Sequence, residues 1–158
     1  MKTPANIRSH PIHPMLVVFP IGLWIFSLVC DLVYHAGPHN LFWKGMAFYT
    51  MLGGIIGALA AAVPGFIDYL SIRDRQIKRL ATFHMIINLI VVVLFIFNLG
   101  MRFRGAPDPD EQLFGTILSV FGVLLLAASG WLGGSMVYVH HVGVETARVS
   151  KDEERRVA

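Results

Sequence analysis

Leu80–Met101 reads LATFHMIINLIVVVLFIFNLGM. It contains no Asp, Glu, Lys or Arg. Its length is that of a helix crossing a hydrocarbon core about 30 Å thick. Charge crowds on both sides, at Arg73-Asp74-Arg75 and Lys78-Arg79 before it and at Arg102 and Arg104 after it. Three further apolar runs share this pattern, from about Met15 to Tyr34, Trp43 to Phe66 and Phe114 to Val139. The chain has 158 residues, 55% of them hydrophobic and 15% charged. A soluble domain has roughly 45–50% apolar and about 25% charged residues, so the composition is that of an integral membrane protein. The fold class is therefore all-α: a four-transmembrane-helix bundle. Short loops favour antiparallel neighbours and an up-down-up-down order.

Three parts are expected. Residues 1–14 form a His-Pro arm, 15–139 the transmembrane domain, and 140–158 a charged tail. Pro20 and Pro64 fall inside or near helix ends, where neighbours can satisfy the freed backbone. The stretch from Gly105 to Asp110 (GAPDPD) is turn chemistry between the third and fourth helices. No long repeat or low-complexity segment is read. The first apolar run is longer than a signal h-region and is followed by no small-x-small cleavage site, so it reads as a retained span.

The basic residues give direction. Lys2, Arg8, Arg73, Arg75, Lys78, Arg79, Arg148, Lys151, Arg155 and Arg156 fall on one side, and only Lys44, Arg102 and Arg104 on the other. The positive-inside rule then puts both termini in the cytoplasm. The net charge of +3 is accounted for by this flanking pattern, and no nucleic-acid module is present. Cys30 is the single cysteine, which excludes a disulfide framework, covalent haem attachment through Cys-x-x-Cys-His, and cysteine-ligated zinc or iron–sulfur sites. No motif supports a serine or cysteine hydrolase or a phosphate-binding loop, and enzyme activity is left open.

Five of the seven histidines gather at the cytoplasmic face: His10, His13, His84, His140 and His141. In His10-Pro11-Ile12-His13-Pro14, each histidine precedes a proline, which biases it towards extended geometry. A polyproline-like arm rises about 3.1 Å per residue with three residues per turn, so His10 and His13 would share a side, roughly 9 Å apart. Pro14 suits the first helical position and leaves His13 at the helix mouth. His84 lies within the third helix with Asn88 one turn on, and intramembrane polar groups normally face the bundle interior. Asp68 ends the second helix at the same level, either as a ligand or as a partner for Arg73 or Arg75. His35 and His39 lie in the opposite loop and, with His141, read as interfacial residues. Asp31 and Arg102 share the far level and are expected to pair, with proton transfer through Asp31 the lesser reading. Gly53/Gly57 and Gly130/Gly134 are small-xxx-small pairs that let helices approach closely, or that make room for a flat macrocycle; Trp43 and Trp131 read as packing or interfacial rings.

Two motifs carry a resemblance: His10-Pro11-Ile12-His13-Pro14, and Gly130-Trp131-Leu132-Gly133-Gly134 followed by Met136-Val137-Tyr138-Val139-His140. The chain resembles, over essentially its whole length, a family of small bacterial membrane proteins of unknown function. Gly65-Phe66-Ile67-Asp68-Tyr69 and His84 belong to the same pattern. One departure is His141, where the pattern has glycine; it is expected to be harmless, since His140 keeps the histidine position. The resemblance implies a bacterial inner membrane. It also implies redox company, because similar chains occur joined to Rieske or cytochrome c domains.

Three functions fit these residues. The first is a b-type cytochrome with one haem near the cytoplasmic face, bound between His13 and His84 or His84 and His140. The remaining histidine, His10 included, and nearby arginines would then hold propionates. Its role would be one-electron transport with a quinone pool or a Rieske or cytochrome c partner. The second is a non-haem zinc, iron or copper site built from His13, His84, His140 and Asp68. The third is a cofactor-free structural or pH-sensing cluster. Membrane lipid is a partner in every case, and the chain leaves room for a homodimer.

Overall fold

The computed structural model describes residues 3–8, 10–103 and 109–144. Two short strands, β1 (Asn6–Ile7) and β2 (His10–Pro11), form an antiparallel hairpin with Asn6 opposite Pro11. Helices α1 (Ile12–Leu16) and α2 (Val18–Ala36) follow as one span, Ile12–Ala36. The remaining helices are α3 (Leu41–Ser71), α4 (Arg75–Phe103) and α5 (Pro109–Tyr138). Four helices are therefore long and apolar enough to cross a membrane. The charged tail beyond 144, with Arg148, Lys151, Arg155 and Arg156, lies outside the described residues, as do Lys2, Arg104 and the turn at 105–108.

Local chemistry sets the ends. Asn40 caps α3, its side chain accepting from the Phe42 N–H at 2.9 Å. Asp74 caps α4 through Oδ1, which accepts from the N–H groups of Gln76 and Ile77. These caps lie outside the apolar runs, so the helices begin earlier than hydropathy alone predicts. The break between α1 and α2 falls at Val17, where Pro20 has no N–H for the Leu16 carbonyl.

The packing order is a ring in which α2 contacts α3 and α5, and α4 contacts α3 and α5. Helices α2 and α4 stand on the diagonal, and their side chains meet on the bundle axis. Trp24 and Phe95 stack there, with ring centres 4.4 Å apart and planes 8° from parallel. Trp24 donates from Nε1 to the Met51 carbonyl at 3.2 Å. Both rings fit because glycines back them. A Cβ on Gly54 would stand 2.5 Å from Trp24 Cδ1, and one on Gly122 would stand 2.8 Å from Phe95 Cε2. Outside, Phe19, Leu59, Val93 and Phe121 are exposed, while Ser27, Asp31, Asn98, Ser119 and Ser129 are buried. Apolar outside and satisfied polar groups inside is the arrangement that lipid requires.

The contacts repeat. Ser27 Oγ donates to the Ala47 carbonyl and Asn98 Nδ2 to the Gly115 carbonyl, each at 2.8 Å. Trp24 covers Gly54, and Phe95 covers Gly122. His13 bonds the Ala61 carbonyl over Gly65, and His84 bonds the Ser129 carbonyl over Gly133. The separation is constant, 71 positions from α1–α2 to α4 and 68 from α3 to α5. The chain is thus two equivalent helical hairpins related by a pseudo-twofold axis along the membrane normal. The repeat is faint in the sequence, because only His13/His84 and the glycines 54/122 and 65/133 recur in type, while elsewhere Trp answers Phe, Ser answers Asn and Ala answers Ser. The register of these contacts also fixes the order of spans. Helices α2 and α4 run parallel, and α3 and α5 run against them.

At the end away from the arm, the axis carries Asp31 and Arg102, again equivalent positions. Arg102 Nη1 and Nη2 donate to the two Asp31 carboxylate oxygens, each at 2.6 Å. Asp31 is 4% exposed. Arg102 Nε also donates to Asn98 Oδ1 at 3.0 Å, and Asn98 Nδ2 donates to Ser119 Oγ at 3.0 Å. The expected ion pair is present, bidentate and tied into a polar network.

Two outcomes follow for thermal unfolding in detergent. Gly54→Leu should lower the midpoint clearly, since overpacking costs about 1–3 kcal/mol. Gly22→Leu, at a lipid-facing site where a Cβ meets nothing within 4 Å, should leave it unchanged; equal midpoints would mean that the glycine–aromatic contact does not hold the core. Asp31→Ala or Arg102→Ala alone should cost about 3–5 kcal/mol by stranding a buried charge. The exchange Asp31→Arg with Arg102→Asp should regain most of that loss, because the axis makes the positions equivalent. An exchange no better than the single variants would rule out that equivalence.

Candidate functional site

At the arm end of the axis stand His13, the second residue of α1, and His84, ten residues into α4. Their ring centres are 6.3 Å apart and their planes perpendicular. His13 Nδ1 lies 2.8 Å from the Ala61 carbonyl oxygen. A carbonyl only accepts, so Nδ1 carries the proton. His84 Nδ1 is likewise 3.0 Å from the Ser129 carbonyl, with Ser129 Oγ at 2.9 Å. Both neutral rings are therefore Nδ1–H tautomers, which leaves the Nε2 lone pairs available. Among the described residues, neither Nε2 has a hydrogen-bond partner.

The local sequence explains each placement. Pro64 removes the donor that the Ala60 carbonyl would have in a regular helix, and the imidazole of His13 enters beside it at Ala61. Gly65 makes the approach feasible, since a Cβ there would stand 2.6 Å from His13 Nδ1. Gly133 does the same more loosely for His84, at 3.3 Å from Cε1. Asn88 Nδ2 donates to the His84 carbonyl at 2.8 Å and to Ser129 Oγ at 2.6 Å, locking the serine beside the ring.

The other predicted site residues stand apart from this pair. His10 is in β2, exposed, with Nδ1 2.9 Å from the Arg8 carbonyl. The arm is a hairpin and not a polyproline rod. Arg8 takes a left-handed φ of 48° in its turn, and Ile12 donates back to the Ala5 carbonyl. Cross-strand bonding wins over the extended bias of the prolines. Asp68 Oδ1 accepts from the Ala5 N–H at 2.9 Å, so this carboxylate anchors the arm. It makes no ion pair with Arg73 or Arg75 among the described residues. His140 follows the end of α5, its N–H donating to the Ser135 carbonyl. His141, with φ 52°, is in the left-handed region. A Cβ there costs about 1–2 kcal/mol relative to glycine. Among the described residues, no group of three or more His, Cys, Asp or Glu is placed to hold a metal ion. The two-histidine pair is what the fold assembles.

Sequence reasoning identified His13 and His84 but not their supports: the carbonyls of Ala61 and Ser129, and the glycines 65 and 133. The shared spacing of 11 positions, His13 to Trp24 and His84 to Phe95 in one pair of helices and Gly54 to Gly65 and Gly122 to Gly133 in the other, was the available signal. Of the outer histidines, His35 is not merely interfacial. Its Nε2 lies 3.0 Å from Thr116 Oγ1 on α5.

No curated protein and no solved structure matches the chain. A family model described as a predicted membrane protein (DUF2231) matches residues 9–146, from the arm through all four spans and past His140. With that match over most of its length, the chain belongs to the DUF2231 family of predicted membrane proteins.

Proposed function

We propose that this protein is a b-type haem protein of the membrane that transfers single electrons, with His13 and His84 as the two axial ligands. The observation that carries the reading is the pair itself. Two imidazoles come from equivalent positions in the two halves, each with Nδ1–H fixed on a backbone carbonyl and Nε2 unengaged. Metal-bound histidines are generally oriented in this way, the carbonyl raising the basicity of the ligating nitrogen. The two rings stand close on the axis, with centres 6.3 Å apart. Imidazole is an ordinary axial ligand of haem iron, and haem, when bound, supplies a one-electron couple.

The chain's own residues then have defined roles. Ala61, Ser129 and Asn88 hold the rings in orientation, and Gly65 and Gly133 give them room. Arg79, in the second turn of α4 at the same end, suits a propionate. The positive-inside pattern puts this end in the cytoplasm. One haem per chain is implied, because the opposite end of the axis carries an ion pair and no second ligand pair. The electron partner would be a quinol in the bilayer or a protein redox domain. His140 and Asp68 stand outside this reading, which weakens the four-ligand metal site.

Spectra and metal content of the purified protein decide it. The expected result is a Soret band that sharpens and shifts on reduction, with iron near one per chain. His13→Ala and His84→Ala should each lower occupancy at least about tenfold or convert the iron to high spin. Gly65→Val should do the same by displacing His13. Stoichiometric zinc or copper in a colourless protein would replace haem by a two-histidine metal site. Full occupancy in both histidine variants would rule out this pair as the ligands.

A further inference from the structure

About 27 Å along α4 from the histidine pair, a cavity of about 250 Å³ opens between all four spans at the Arg102 level. Its polar floor is the Asp31–Arg102 pair, whose charges cancel. Lys44 lines it as a second cation. Among the described residues the ammonium has neither a carboxylate partner nor a hydrogen-bond acceptor; it stands 5.2 Å from the centre of the Tyr34 ring. The Tyr34 hydroxyl, in the same wall, also lacks a partner among the described residues. Helix dipoles do not balance the lysine. The N-termini of α3 and α5 and the C-termini of α2 and α4 all meet at this end, and their partial charges offset one another.

Among the described side chains the cavity thus holds one more positive than negative charge, beside two donors without acceptors. A lysine near a helix end reaches the membrane interface, and there Lys44 borders the cavity. The space is real at the lysine itself, since Gly45 lines the cavity and a Cβ there would meet no atom within 4 Å. Leu41, Phe48 and Met101 add apolar wall, and the polar groups that line it beside them are already engaged: His35 with Thr116, Asn98 with Gly115, Ser119 and Arg102, and Gln112 as well.

We propose that this cavity binds a singly charged oxyanion, a phosphodiester or a carboxylate. Lys44 Nζ is its charge partner and Tyr34 Oη a hydrogen-bond donor, above a floor formed by the neutral Asp31–Arg102 pair. Equal numbers of acids and bases would leave no preference for charge; one surplus cation selects a monoanion. The group can arrive as the headgroup of an anionic lipid, its tails along Leu41 and Phe48, or as a free anion from the water side. The site is independent of the histidine pair.

The test uses the full chain in neutral detergent. Phosphatidylglycerol, phosphatidylcholine, inorganic phosphate and acetate are titrated, with Trp43 fluorescence and native mass spectrometry as readouts. Saturable binding of phosphatidylglycerol over phosphatidylcholine is the expected result for a lipid headgroup, and saturable binding of phosphate or acetate for a free anion. In either case Lys44→Gln and Gly45→Leu should each weaken binding about tenfold or more, the first by removing the charge and the second by filling the space. Two variants keep the question answerable if one does not fold. Equal binding of both lipids without binding of free anions, no saturable binding, or affinities unchanged in the variants would overturn the proposal. The visible spectrum does not enter, so failure here leaves the haem reading standing.

Discussion

Trp24 and Phe95 meet on the bundle axis because residues 54 and 122 have no side chains. Nearly everything else in the molecule depends on that contact. Between helices in lipid there is no hydrophobic force to hold them together, so association rests on close packing and on polar bonds. A stacked aromatic pair, each ring seated on a glycine of the neighbouring helix, joins all four spans at one level. It also fixes register. With Trp24 on Gly54, the same α3 face brings Ala61 and Gly65 to His13. With Phe95 on Gly122, α5 brings Ser129 and Gly133 to His84. A one-residue slip would turn these glycines away from the rings that need them.

The polar groups follow from the same geometry. A buried side chain in a membrane must find its partner inside the protein, and here most partners are backbone carbonyls. Ser27, Asn98, His13 and His84 each donate to a carbonyl on the next helix. Carbonyls are present whatever the sequence, which is why the two halves keep the same bonds while their side chains differ. The anchoring also removes rotational freedom from the imidazoles before any ligand arrives. Less ordering then remains to oppose binding.

The four spans were legible because hydropathy over about twenty residues reports the solvent directly. Helix ends were less so. Asn40 and Asp74 extend α3 and α4 beyond the apolar runs through caps that hydropathy does not weigh. His84 and Asn88 stood out as polar residues in a charge-free run, and the pairing of Asp31 with Arg102 followed from their common depth. The arm was misread, since proline preferences are local and the hairpin is held by a contact with Asp68, across 63 positions of chain. His140 was grouped with His84 by depth, which is readable from sequence, whereas azimuth requires the packing; among the described residues no group of three such side chains is placed to hold a metal ion. The repeat escaped notice because only its histidines and glycines recur in type, and the other positions preserve contacts through different residues.

The two ends of the axis use one symmetry in opposite ways. A twofold axis brings equivalent positions face to face, so any group on it meets its own counterpart. Like groups are what a bis-imidazole site needs, since an ion between two neutral rings is held by identical donors. Like groups are what a buried charge cannot tolerate, since two acids or two bases at hydrogen-bond distance repel strongly in a medium of low dielectric. The chain keeps histidine in both halves at one end and replaces one partner at the other, where Asp31 faces Arg102. A symmetric homodimer of one hairpin could retain the first arrangement but not the second. Joining the hairpins in one chain lets the halves diverge at single positions, and the lysine at 44, with glutamine at the equivalent position 112, is a further divergence of that kind. Asymmetry of charge at one end thus coexists with symmetry of the histidines at the other, and the stacked rings between them hold both in register.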